Sequence, residues 1–310
     1  MREKLNIGTR GSALALTQTR QIAALLQRHY PAMRIEVVVI RTSGDIQKDV
    51  PLARIGGKGL FIKEIEEALL AGTVDLAVHS MKDLPAELPE GLRIAAVPLR
   101  EDPRDVLISG TGLGIGELPA GARIGTGSLR RIVQLSSWRP DLEILPIRGN
   151  LDTRIRKVTS GDLDGIVVAA AGIRRMGWAG QVTQFIPAEK MLPAVGQGVL
   201  CLETRCGEED LDAGLAFLED ERTRREVTAE RAFLRRLGGG CSLPVAAFAE
   251  EREGSLTIRG LVGSLEKGKM IRHELQGKAA DAADLGTELA DALLDGGGRI
   301  LLSALNSGQP

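Results

Sequence analysis

Arg34-Ile35-Glu36-Val37-Val38-Val39-Ile40 is a run of β-branched residues short enough for one strand, and what flanks it decides the fold. Upstream, Ser12–His29 carries the spacing of an amphipathic helix, and before it Lys4–Thr9 is a second strand-like run. Downstream, Gly59–Leu70 has helical spacing and Val74–His79 is again β-rich. Strand, helix, strand, helix, strand is a βαβαβ unit, and right-handed crossovers then predict a parallel sheet. Arg93–Val97 extends that sheet before the Glu101-Asp102-Pro103-Arg104 stretch.

A second series follows. Strands are expected at Asp105–Ile108, Arg123–Gly125, Glu143–Pro146 and Gly165–Ala169, with helices starting near Ser128, Asn150 and Ala171. Pro193-Ala194-Val195-Gly196-Gln197-Gly198 interrupts the pattern, and Val199–Glu203 is another strand. Two similar α/β halves predict a two-lobed, hinged protein. Beyond Asp220 the pattern changes. A charged helix over Asp220–Leu237 stops at three glycines, then three strand-like runs, Val245–Glu250, Leu256–Val262 and Met270–Leu275, precede a helix at Ala282–Leu294. This order predicts a small α+β domain. The expected division is 1–99 with 196–217, then 100–195, then 218–310.

Composition narrows the function classes. The chain has 310 residues, 43% hydrophobic and 26% charged, so it folds. No apolar run reaches membrane-spanning length, and the N-terminus has no signal-peptide core, which predicts a cytoplasmic protein with no membrane partner. A net charge of −1 and only 3% aromatics argue against a nucleic-acid partner. Three cysteines, Cys201, Cys206 and Cys241, imply no disulfide framework, and the spacing of cysteines and histidines predicts no metal site. Of the 40 basic residues 30 are Arg, whose planar fork matches carboxylates.

Six stretches carry candidate chemistry. Thr9-Arg10-Gly11-Ser12 lies where the first strand hands over to the first helix, where free N–H groups and Ser12 either cap a plain helix or receive an anion. Gly125-Thr126-Gly127-Ser128-Leu129-Arg130-Arg131 repeats the device with two cations at a helix start, an arrangement the helix dipole opposes unless an anion binds. Across 123–157 eight basic residues face three acidic ones, and Arg148-Gly149-Asn150 to Arg154 forms another such turn. Gly56-Gly57-Lys58-Gly59-Leu60-Phe61 lacks the hydroxyl residue of a nucleotide-phosphate loop. His79-Ser80-Met81-Lys82-Asp83 follows a parallel strand, the position from which loops line ligand clefts, and also reads as an ordinary turn ended by Pro85. Gly238-Gly239-Gly240-Cys241 sets a thiol on a turn stripped of side-chain bulk, whereas Cys201 sits in an apolar strand pattern that fits inert burial.

Together these stretches resemble the porphobilinogen deaminase (hydroxymethylbilane synthase) family. The resemblance runs nearly end to end: TRGSALALTQ at 9–18, TSGD at 42–45, GGKGLF at 56–61, HSMKDLP at 79–85, REDPRD at 100–105, GTGSLRR at 125–131, RGNLDTR at 148–154, PAVGQG at 193–198 and ERAFLRRLGGGCSLP at 230–244. It implies two periplasmic-binding-protein-like lobes with mainly parallel sheets, a small C-terminal α+β domain, and a monomer. It also implies condensation of four porphobilinogens, with loss of ammonia, to linear hydroxymethylbilane on a covalent dipyrromethane cofactor.

Carried over position by position, the resemblance makes Cys241 the thioether attachment and Asp83 the catalytic acid. The cofactor falls to Lys82, Asp83, Thr126, Ser128, Arg130, Arg131, Arg148 and Gly149. Substrate falls to Arg10, Ser12, Gln18, Arg148 and Arg154, with Lys58 and Phe61 on the active-site loop and with Gln18 and Gln197 matched but peripheral. Two departures stand out: Gly127 where many members have a second serine, and Leu243 for a usually β-branched residue. A non-catalytic, two-lobed anion-binding protein is the alternative from another class, since fold does not fix function. It leaves Asp83 and the glycine-flanked cysteine without a purpose.

Overall fold

The computed structural model describes residues 3–43, 62–239, 243–266 and 269–307. Along the chain come β1 Lys4–Arg10, α1 Ala13–His29, β2 Arg34–Ile40, α2 Lys63–Leu70, β3 Leu76–Ser80 and β4 Leu92–Ala96. Next are β5 Asp105–Ser109, β6 Arg123–Gly125, α3 Leu129–Trp138, β7 Glu143–Leu145, α4 Leu151–Thr159, β8 Gly165–Ala169, α5 Ala170–Arg175 and β9 Gln184–Ile186. The rest contains β10 Leu200–Arg205, α6 Glu209–Leu215, α7 Glu221–Arg236, β11 Val245–Arg252, β12 Ser255–Gly263, β13 Met270–Lys278, α8 Ala282–Leu293 and α9 Arg299–Ser307. Two compact units result: Met1–Glu101 with Val199–Arg224, and Asp102–Gly198 with Arg225–Pro310.

In the first unit the strand order is β2-β1-β3-β10-β4. β1 runs parallel to β2, from Lys4 opposite Arg34 to Arg10 opposite Ile40, and parallel to β3. β10 returns antiparallel between β3 and β4. Side chains of a strand alternate between faces, so Leu76 and Val78 meet Ile22 and Leu26 of α1, whereas Ala77 meets Ile65 and Leu69 of α2. The sheet is thus covered on both faces, as its near-continuous apolar strands require.

The second unit repeats this plan. Its order is β7-β6-β8-β5-β9, with β6 parallel to β7 and β8, and β5 antiparallel to β8 and β9. Neither β9 nor α6 nor α9 is predicted by the sequence pattern. The same unit holds the meander β11-β12-β13, backed by α7 and α8. Phe233 is fully buried there, worth about 1.5–3 kcal/mol by transfer. The two helices cross so closely that a Cβ on Gly286 would stand 2.0 Å from the Ala229 carbonyl oxygen. Only glycine permits that approach. Gly238 and Gly239, both at positive φ, end α7, and their N–H groups bond the Arg235 and Leu234 carbonyls.

Candidate functional site

In the first unit, the carboxyl ends of β1 and β3 deliver Arg10, Ser12, Gln18, His79, Ser80 and Asp83 to one cleft, floored by Ile62, Ile65 and Val78. Ser12 caps α1, accepting from the Ala15 N–H at 3.3 Å. Gln18 is buried and donates from Nε2 to Ser80 Oγ at 3.0 Å, which ties the first helix to the segment that carries Asp83. A single 3-10 turn over Met81–Asp83, anchored by the Met81 N–H on the Val199 carbonyl, leaves Asp83 exposed on the cleft. Lys82 is half-buried in the same turn. An exposed carboxylate beside a cationic helix start can accept N–H donors and hold positive charge while Arg10 receives acid groups.

In the second unit the two arginines at the start of α3 are buried, and they meet an acid no motif had assigned. Arg130 Nη1 lies 2.7 Å from Asp105 Oδ2, and Arg131 Nη2 2.8 Å from Asp105 Oδ1. Arg130 also donates to the Leu192 carbonyl, Arg131 to the Val167 carbonyl, and Gln197 Nε2 to Asp105 Oδ1. Burial pulls the Asp105 carboxyl upward, but the two guanidiniums outweigh it and hold the group well below the usual carboxylate range. The excess of cations at this helix start, read from sequence as a ligand's counter-charge, is therefore met in part within the protein. Gln197 thereby joins this network. In the sequence Asp105 closes the REDPRD stretch and opens the apolar run Val106-Leu107-Ile108, but neither pattern points to its arginine partners.

What the network leaves open is equally informative. Nε of Arg130, Nε of Arg131 and Nη2 of Arg148 are enclosed with no hydrogen-bond partner among the described residues. Thr126 is buried, its Oγ1 accepting from the Ser128 N–H, while the Ser128 and Asn150 side chains make no cap bond to the helices they precede. Gly149 takes φ 103°, and its carbonyl accepts from Arg154 Nε at 2.9 Å. A Cβ at Gly127 would stand 2.7 Å from the Ile147 carbonyl oxygen, so the turn of this chain is packed to the size of glycine. Enclosed guanidinium N–H groups beside uncapped helix starts suit a ligand bearing several acid groups. Of the other expected site residues, Lys58, Phe61 and Cys241 lie outside the described residues. Cys201 is fully buried, its sulfur 3.7 Å from the His79 carbonyl oxygen.

Fold and site together define a class: an α/β protein of two lobes, with cation-bearing turns at strand ends and an exposed acid on one cleft. Residues 5–213 match the family model "porphobilinogen deaminase, dipyromethane cofactor binding domain", and residues 224–295 match that of the porphobilinogen deaminase C-terminal domain. A porphobilinogen deaminase of Syntrophus aciditrophicus is 80% identical over 99% of this chain and 100% of its own. That of Syntrophobacter fumaroxidans is 50% identical over 97% of each. An extracellular binding protein of a Bacillus subtilis probable amino-acid transporter superposes with a TM-score of 0.43 at 13% identity, over 74% of this chain and 97% of that one. The chain belongs to the porphobilinogen deaminase family. It is a transferase that makes hydroxymethylbilane for tetrapyrrole biosynthesis with a dipyrromethane cofactor, and the non-catalytic alternative falls away. No helix among the described residues is long and apolar enough to cross a membrane.

Proposed function

We propose that Asp83 is the catalytic carboxylate of this synthase and Cys241 the attachment point of its cofactor. The observation that carries the reading is the cleft of the first unit, where Asp83 shares the lining with Arg10, Ser12 and Gln18. The Asp83 carboxylate accepts the pyrrole N–H of porphobilinogen and stabilises the positive charge that grows as the aminomethyl nitrogen leaves as ammonia. Arg10, Ser12, Gln18, Arg148 and Arg154, with Lys58 and Phe61, bind the acetate and propionate arms of substrate. Lys82, Thr126, Ser128, Arg130, Arg131, Arg148 and Gly149 hold the cofactor's acid groups, a role supported by the enclosed, unpartnered N–H groups of Arg130, Arg131 and Arg148. When bound, the dipyrromethane supplies the carbon nucleophile to which the first unit is joined.

The division into 1–99 with 196–217, 100–195 and 218–310 belongs to the same reading, with a monomeric cytoplasmic enzyme that has no nucleic-acid partner. Intact mass tests the attachment. The parent protein should exceed its sequence mass by one dipyrromethane, Cys241→Ala should weigh what its sequence weighs and make no product, and Cys201→Ala should still carry the group. A covalent dipyrrole on Cys241→Ala overturns the assignment.

A further inference from the structure

Below the same cleft lie three titratable side chains that the proposed chemistry does not use. They come from three elements: Glu66 on α2, His79 on β3 and Glu203 on β10. Glu203 is 0%, His79 5% and Glu66 7% exposed. His79 Nε2 stands 3.0 Å from Glu203 Oε2. The approach is an ion-pair distance without hydrogen-bond alignment: Glu66 Oε1, His79 Nε2 and both Glu203 carboxylate oxygens lack a hydrogen-bond partner among the described residues.

Charge counting fixes how such a cluster is occupied. Ionised carboxylates buried together repel each other, and an uncompensated buried charge costs far more than a protonation. The proton falls on Glu66. Burial first, and the Glu203 charge second, push the Glu66 carboxyl up to about 7, with His79 opposing. Other charged groups on the elements packed against α2 are engaged elsewhere. Arg205 on β10 pairs with Asp75 and Glu208, Arg93 on β4 with Asp212, and Lys4 on β1 with Glu36, while Arg10 lines the cleft. On α2 itself Lys63 reaches Glu67, and Glu64 accepts from the Ser43 N–H.

His79 belongs to both systems. The residue lines the cleft, and four residues on along the chain is Asp83. We propose that Glu66, His79 and Glu203, buried together on three elements, form a positioning unit for the segment 79–83. Loss of the Glu66 proton adds a buried negative charge next to a cleft that must receive an acidic substrate. Capture of porphobilinogen then weakens more than turnover does. The proposal rests on the reading of Asp83 and Arg10 as site residues, which the Asp83→Asn variant tests separately.

The test is the pH profile of the cofactor-loaded enzyme and of its Glu66→Gln variant, in which an amide replaces the protonated carboxyl. In the parent, kcat/KM should fall above neutrality by up to about tenfold per pH unit, the slope of a single ionisation, with most of the change in KM. Glu66→Gln should move that limb upward by about one pH unit or more. An unmoved limb overturns the proposal. Should the variant fail to fold, carbon NMR of the parent labelled at glutamate carboxyls answers the question. One glutamate should titrate near neutrality, and a set of glutamates that all titrate in the ordinary carboxylate range overturns it.

Discussion

The two units solve opposite electrostatic problems with the same strand plan. In the first, the exposed turn carries Asp83 and the buried layer beneath it has acids in excess, Glu66 and Glu203 against His79. In the second, the buried layer has cations in excess, Arg130 and Arg131 against Asp105. The two layers settle the excess differently. The acidic one keeps a proton on Glu66, while the basic one, whose guanidiniums do not deprotonate, keeps enclosed N–H groups without a partner among the described residues. A buried acid excess thus predicts pH sensitivity, and a buried arginine excess predicts anion affinity.

The sharpest way to break this contrast is to remove the charge of Asp83. Asp83→Asn keeps shape and some hydrogen bonding, yet turnover of the folded, cofactor-loaded variant should drop roughly 100- to 1,000-fold. Single-turnover kinetics would read it, and near-parent rates would remove Asp83 from the chemistry. Next comes the second unit. Asp105→Asn leaves two buried guanidiniums facing an amide and should cost about 3–5 kcal/mol in denaturant unfolding, with little change in the first unit.

The two buried acids also predict opposite pH slopes. Asp105 is depressed in the folded state, so its stabilisation is present above the unfolded value of 3.8 and is lost as pH falls below it toward the folded value. Glu66 is raised, so its contribution is present below 4.5 and lost as pH rises through about 7. Thermal unfolding of the parent, Asp105→Asn and Glu66→Gln across pH should show the acid-side slope flattened in the first variant and the neutral-side slope flattened in the second. The smallest effect belongs to Gly149→Ala. At φ 103° and with Thr153 Cγ2 2.9 Å from an added Cβ, it should cost about 1–3 kcal/mol and weaken cofactor retention by Arg148.

Legibility in the sequence followed the range of the forces involved. Arg34–Ile40 and Gly165–Ala169 are strands with the limits their patterns predict, because β-branched runs bounded by turn residues are local signals. Gln184–Ile186 and Glu209–Leu215 are too short to establish a period, and Arg299–Ser307 follows a glycine run that reads as an end. The antiparallel entry of β5 and β10 has no local signature, since direction is decided by where the chain has been. The same holds at the site. Arg10, Ser12 and Asp83 were readable from strand-to-helix turns, but the partnership of Arg130 and Arg131 with Asp105 spans 25 and 26 residues and needs the fold to bring it about. The acid cluster of Glu66, His79 and Glu203 was missed for that reason.

The position of β10 has a consequence for how the protein is made. Residues 200–205 lie between β3 and β4, both complete before residue 100. On the ribosome, the amino-terminal sheet therefore waits with its middle gap open while the whole of the next sheet, finished at Ile186, emerges. The second unit's sheet can close first although it is synthesised later. During that interval β3 and β4 expose unpaired backbone edges, the feature most prone to pairing with a neighbouring chain. The segment that carries Asp83 is thus among the last to gain its support, because the six residues beside it come from two-thirds of the way along the sequence.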